Sequence, residues 1–203
     1  TAYEMLRSLV GSEMCIRDRA NTVRNTLTRA WTHRRLWVND PDPLLLRRSG
    51  SRLSPAEVRS LTTAVALSGG SCLLGDDLPT LDADRRAVAI SCLPPHLGRP
   101  WTPDVLSREW PERLVLETSG PWGQGWIVAL FNWQNRPADL MVDLATIGAK
   151  AECPYHLHEF WSGEYQRVQG TARLAQVEAH GCRAFLLRPV QEEPQWIGST
   201  LHL

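Results

Sequence analysis

The sequence predicts an α/β segment followed by an antiparallel β-sandwich, and three observations carry that reading. From Ala20 to Pro95 the chain runs helix, strand, acidic turn, helix, strand, acidic turn, helix. From Leu114 onward, short apolar or alternating runs are separated by turn residues. Between the two, Pro94 to Pro111 is rich in proline and tryptophan and reads as a connection. Strands that alternate with helices imply parallel pairing, whereas short strands at regular spacing imply a sandwich. Two parallel strands cannot bury both of their apolar faces alone, so the first part reads as a piece of a larger α/β domain.

Composition narrows the function. The 203 residues suffice for one or two domains with a sizeable core. The 22 basic and 22 acidic side chains cancel, leaving no field to attract nucleic acid. No apolar run approaches the roughly 20 residues of a membrane span. The five cysteines are dispersed without a CxxC pair, which suggests reduced thiols, a cytoplasmic setting, and neither a disulfide framework nor a zinc site. The sequence opens without a start methionine, so the native N-terminus is expected upstream. Nine tryptophans outnumber the three tyrosines and three phenylalanines. They can fill cores, and some could stack on sugar faces.

In chain order, residues 1–19 do not fit the pattern of the rest of the chain. Their end, Ser12-Glu13-Met14-Cys15-Ile16-Arg17-Asp18-Arg19, resembles a translated sequencing-library adaptor and is set aside as a non-native segment. Ala20 to His33 is expected to be helical, with Val23, Leu27 and Trp31 on one face. Arg34 to Val38 can form a strand ending in Asn39-Asp40-Pro41-Asp42. Pro41 fixes its own φ and pushes Asp40 toward extended geometry, so Asp40 and Asp42 are held on a stiff turn. Ser54-Pro55-Ala56-Glu57 is a helix start with a cap, a first-turn proline and a capping-box glutamate, and Gly69-Gly70 is its stop. Ser71 to Leu74 reads as a covered strand closed by Gly75-Asp76-Asp77, and a helix covers Asp82 to Cys92. The sandwich strands are expected at Leu114–Leu116, Trp126–Phe131, Leu140–Leu144, Tyr155–Trp161, Ala172–Val177 and Ala184–Leu187, with a last one starting at Trp196.

The chemistry resides in the acidic turns. Asn39-Asp40-Pro41-Asp42 has the composition of an ordinary Asx-type turn. Two such turns at the C-terminal ends of consecutive parallel strands point further, because a β/α barrel builds its site on that edge. Carboxylates there suit hydroxyl-rich ligands or acid/base work. His156-x-His158 would put two rings on one strand face, but no third ligand lies nearby, so no metal is expected. Gly69-Gly70 lacks a phosphate-loop signature. Cys72 and Cys92 read as small buried hydrophobes rather than nucleophiles. No cofactor is expected.

Leu36-Trp37-Val38-Asn39-Asp40-Pro41-Asp42, Leu53-Ser54-Pro55-Ala56-Glu57, Ala66-Leu67-Ser68-Gly69-Gly70 and Leu74-Gly75-Asp76-Asp77-Leu78, in that order, resemble the α-galactosidase (melibiase) glycoside hydrolases. The likeness continues through Leu130-Phe131-Asn132-Trp133, Phe160-Trp161-Ser162-Gly163 and Ile197-Gly198-Ser199-Thr200. The resemblance implies a C-terminal fragment of a (β/α)8 TIM barrel, its last two βα units at residues 20–95, then a linker at 96–111 and a β-sandwich at 112–203, truncated at its C-terminus. It also implies a retaining hydrolase of terminal α-galactosides. That family's nucleophile and acid/base aspartates lie on earlier strands, so no catalytic residue is assigned in this chain, which is expected to be inactive alone. Asp42 matches the aspartate that lines the sugar pocket, and Asn39 and Asp40 match the same turn. Here Pro43 stands where relatives often carry Met or Cys, and Val38 separates Trp37 from Asn39. The rival readings are a transglycosylating or α-N-acetylgalactosaminidase relative, and a non-catalytic carbohydrate-binding module. The expected partner is a carbohydrate.

Overall fold

The structure, a computed structural model, describes residues 16–120 and 123–203, with side chains from residue 20. The adaptor-like reading of residues 1–19 falls almost wholly outside that range. Two hydrophobic cores organise the chain, one between the helices and one face of a sheet, the other between that sheet's two layers.

The first helix, α1 (Ile16–Thr28), continues as a 3-10 turn at Ala30–Thr32. Val23 and Leu27 are fully buried as expected, whereas Trp31 is half exposed. The switch to 3-10 winding alters the angle per residue, so the third member of the apolar stripe leaves the helix's inner face. Helix α2 (Pro55–Ala66) has the predicted start: Ser54 Oγ accepts from the Glu57 N–H, and Glu57 Oε2 accepts from the Ser54 N–H. Gly69 stands at φ +72°, the left-handed geometry expected after a helix end. Helix α3 (Ala83–Ser91) follows, with Cys92 as its C-cap.

The predicted strand Arg34 to Val38 does not form. Arg34 adopts φ +54°, which breaks an extended run, and Leu36, Trp37 and Val38 are exposed. A parallel strand needs a separate neighbouring strand and covered faces; Trp37 instead bridges back to His33 within the same turn, and the segment's apolar side chains stay exposed. The parallel pairing lies further on, as one bridge between Leu44 and Leu74, closed by Leu44 N–H to Leu73 O (2.8 Å) and Gly75 N–H to Leu44 O (2.9 Å). The two acidic turns therefore sit at opposite ends of this pair: residues 39–42 precede Leu44, and Gly75-Asp76-Asp77 follows Leu74.

The β part holds β1 (Arg113–Gly120), β2 (Gly123–Phe131), β3 (Ala138–Asp143), β4 (Pro154–Glu159), β5 (Tyr165–Gln169), β6 (Thr171–Val177) and β7 (Cys182–Pro189). All named pairings are antiparallel, in the order β1-β2-β7-β4-β5-β6-β3. β5 and β6 share a single residue pair, Gln169 with Thr171, across Gly170 at φ +69°. The sheet turns over there, so β6 and β3 form a second layer on Val115, Val128, Tyr155, Leu157 and Phe185. The opposite face of the same strands, including Leu114, Leu116, Ile127, Ala129 and Ala184, packs on the helical core. β2 is thus covered on both sides, which explains its unbroken Trp126–Phe131 apolar run. β5 is absent from the sequence-based expectation, because Val168 is its one buried residue. The strand expected from Trp196 is absent; that tail instead docks on α3, Leu203 N–H donating to Ser91 O (2.9 Å).

Residues 96–111 contain no regular element but are pinned on both sides. Trp101 bridges Val115 of β1, and Thr102 Oγ1 donates to Leu27 O of α1 (2.8 Å).

Candidate functional site

Asn39, Asp40 and Asp42 share one turn, yet they face different surroundings. Asn39 is buried. Its Oδ1 accepts from Thr32 Oγ1 (2.8 Å), its Nδ2 donates to Arg29 O (3.1 Å), and its N–H donates to His33 Nδ1 (3.1 Å). Its carbonyl accepts from the Ser71 N–H (3.1 Å). An Asn with both ends of its amide engaged holds the turn against the helix end. Gly70 leaves room for this: a Cβ there would lie 1.9 Å from Asn39 O.

Asp40 and Asp42 are exposed. Asp40 accepts from the Ser71 hydroxyl, and Asp42 Oδ2 accepts from Thr22 Oγ1 (2.7 Å). Each carboxylate keeps further lone pairs for a ligand. Together they line a cleft of about 610 Å³ between the turn and α1, with Trp37, Asn25, Thr22 and Arg29 among its walls. The helix contributions follow from the 3.6-residue period: positions 22, 25 and 29 share a face away from Val23 and Leu27. That polar face was visible in the sequence, but only the fold sets it opposite the turn.

His33 stands behind the site. Burial, with Arg34 beside it, holds its imidazole below the ordinary histidine pKa. The hydrogen bond from Asn39 requires a lone pair on Nδ1, so the proton of the neutral ring sits on Nε2.

The second acidic turn has a structural task. Asp76 has a nearly buried carboxylate that accepts from the Leu46 and Arg47 N–H groups and pairs with the Arg47 guanidinium at 2.9 Å. His156 Nδ1 pairs with the Tyr165 hydroxyl (2.8 Å), while His158 packs beside Gly198. Among the described residues, no three His, Cys, Asp or Glu side chains gather as a metal set. No helix among them is long and apolar enough to cross a membrane. The motif tryptophans both pack on the core between the helices and the sheet: Trp161 Nε1 donates to Thr63 Oγ1 of α2 (3.1 Å), and Trp133 Nε1 to Pro111 O (2.8 Å).

This architecture, an antiparallel sandwich joined to a helical unit, is a fold shared with carbohydrate-active enzymes of known structure. Residues 118–187 match the alpha galactosidase C-terminal beta sandwich domain. The chain is 26% identical over 158 residues to the probable alpha-galactosidase D of Aspergillus terreus, covering 77% of this chain and 20% of that protein. It superposes on the family 27 β-L-arabinopyranosidase of Geobacillus stearothermophilus in complex with arabinose, with a TM-score of 0.63, 16% identity, and coverage of 86% of this chain and 43% of the other. It superposes on the α-galactosidase of Saccharomyces cerevisiae with raffinose, with a TM-score of 0.61, 14% identity, and coverage of 84% and 51%. Residues 118–187 thus carry the match to the C-terminal β-sandwich domain of α-galactosidases, and the chain is similar in sequence to an α-galactosidase over 158 residues. It spans a fifth of the curated relative and about half or less of these two solved chains.

Proposed function

We propose that this chain is the C-terminal portion of a retaining α-galactosidase-like glycoside hydrolase and supplies one wall of its sugar pocket. Residues 20–95 are read as the last two βα units of a (β/α)8 barrel, and residues 112–203 as the trailing sandwich. The observation that carries the reading is the cleft in which the Asp40 and Asp42 carboxylates stand beside Trp37, on a turn anchored by Asn39. Ionised carboxylates accept two hydrogen bonds from vicinal hydroxyls, and an indole offers an apolar face to a pyranose. Retaining hydrolysis also needs a nucleophile and an acid/base carboxyl about 5–5.5 Å apart. In this reading both come from earlier barrel strands, so the chain binds and orients without turning substrate over. A stand-alone binding module is less favoured, because the central strands are covered on one face by helices and on the other by β3 and β6.

The test is an assay of the chain with an aryl α-galactoside, joined to an NMR titration with galactose. No turnover is expected, with shifts confined to residues 22–42. Turnover abolished by Asp42→Asn would place the catalytic groups in this chain, and shifts confined to residues 112–203 would favour the module.

A further inference from the structure

Two sulfurs that sequence spacing leaves unrelated meet in the fold. Cys72 lies on the segment after Gly69-Gly70, and its Sγ stands 3.7 Å from Sγ of Cys92, the C-cap of α3. Cys72 is partly buried, and Cys92 is fully buried. The other described cysteines are placed elsewhere: Cys153 packs against the core between the sandwich layers, and Cys182 faces the Thr63 hydroxyl at 3.4 Å.

We propose that Cys72 and Cys92 are a thiol–disulfide modification site, closed reversibly by a low-molecular-weight disulfide such as glutathione disulfide. The Cys72 thiolate attacks one sulfur of the oxidant, breaking its S–S bond, forming a mixed disulfide and releasing one glutathione thiolate. Cys92 then loses its proton to water, and its sulfur attacks Sγ of Cys72, forming the Cys72–Cys92 bond and releasing the second glutathione thiolate. Two protein thiols are oxidised to one disulfide, one glutathione disulfide is reduced to two glutathiones, and these take up the two protons.

The asymmetry of the pair sets this order. The facing Cys92 thiol stabilises a thiolate at Cys72 and brings its pKa down to about 7. The same hydrogen bond, with burial, pushes the Cys92 pKa up, and the Cys92 S–H can also donate to Ala89 O at 3.0 Å. Once Cys72 is capped its charge is gone, so Cys92 ionises more readily than before. Closure ties the end of α3 to the segment whose Ser71 holds both Asn39 and Asp40. The site itself does not depend on the glycosidase reading.

The test is oxidation of the native chain with glutathione disulfide, quenching with an alkylating agent, trypsin digestion and mass spectrometry. Trypsin separates the two residues into Ser60–Arg85 and Ala87–Arg108, each with one cysteine. These peptides should be joined to each other and separate on reduction with dithiothreitol. In Cys92→Ser, Cys72 should instead retain glutathione. Recovery of both peptides unjoined from the native chain, or a glutathione adduct on Cys72 that persists with Cys92 intact, would overturn the proposal. Links scattered over all five cysteines without preference would do so too.

Discussion

The Thr32 hydroxyl donates to Asn39 Oδ1 across 2.8 Å, and both residues are buried. This bond and the one from Asn39 Nδ2 to Arg29 O fix the acidic turn to the end of the first helix. The turn's rigidity therefore comes from Asn39 as well as from Pro41.

Asn39→Ala should destabilise the chain by about 1–3 kcal/mol, the net worth of the two buried side-chain hydrogen bonds it removes, while the Thr32 hydroxyl can still donate to the Arg29 carbonyl. Asp40→Ala, at an exposed position, should change stability much less. Urea denaturation of both variants checks the difference; equal losses would deny Asn39 its anchoring role.

Gly70→Ala should cost about 1–3 kcal/mol, the usual penalty of overpacking. The added methyl would meet the Asn39 carbonyl, which is backbone and cannot swing aside. An increase in protease cleavage between residues 34 and 43 should accompany the loss, since the strain falls on the turn. A variant with unchanged stability would show that the turn yields freely.

In the proposed full-length hydrolase, Asp42→Ala should lower kcat/KM by roughly ten- to a hundredfold, as each charge-assisted bond to a sugar hydroxyl contributes about 1.5–3 kcal/mol. Its melting temperature should stay within about a degree, because the carboxylate is exposed and its described contact is Thr22. Unchanged kinetics with a clear loss of stability would assign Asp42 to the fold instead of the pocket.

Folding lowers the pKa of His33, chiefly through burial. Between its folded pKa and the unfolded value of about 6.5, the unfolded chain binds the extra proton. His33's contribution is therefore complete above pH about 6.5 and is lost as the pH falls toward the folded value. His96, also lowered chiefly by burial, acts in the same direction. An NMR titration of the His33 imidazole should give a midpoint below 6.5, and His33→Asn, which can keep an acceptor near Nδ1, should flatten the fall in stability between pH 7 and 5 without abolishing it. A midpoint at or above 6.5 would contradict the buried, neutral assignment.

Local signals were legible where the chemistry is local. Ser54, Pro55 and Glu57 specify a helix start through bonds within four residues, and the structure has that start. Six of the seven sandwich strands were visible as apolar or alternating runs, since period-two burial needs only the pleat. β5 escaped because a strand with one buried side chain leaves almost no period to read.

What the sequence determined by itself is the presence of the α2 capping box, the sandwich's strands other than β5, and the acidic turn. What the tertiary structure decided is the partner each residue meets. Arg34 to Val38 has the composition of a strand, but without a separate neighbouring strand or covered faces it stays irregular, and the parallel bridge between segments forms at Leu44 and Leu74. Asn39 and Asp42 look alike as turn residues, yet one is buried against Thr32 and the other faces the cleft. Cys72 and Cys92 meet only because helix α3 returns its C-terminus to the segment after α2. Pairings across the fold depend on how packed elements bring distant residues together, and no local pattern encodes that distance.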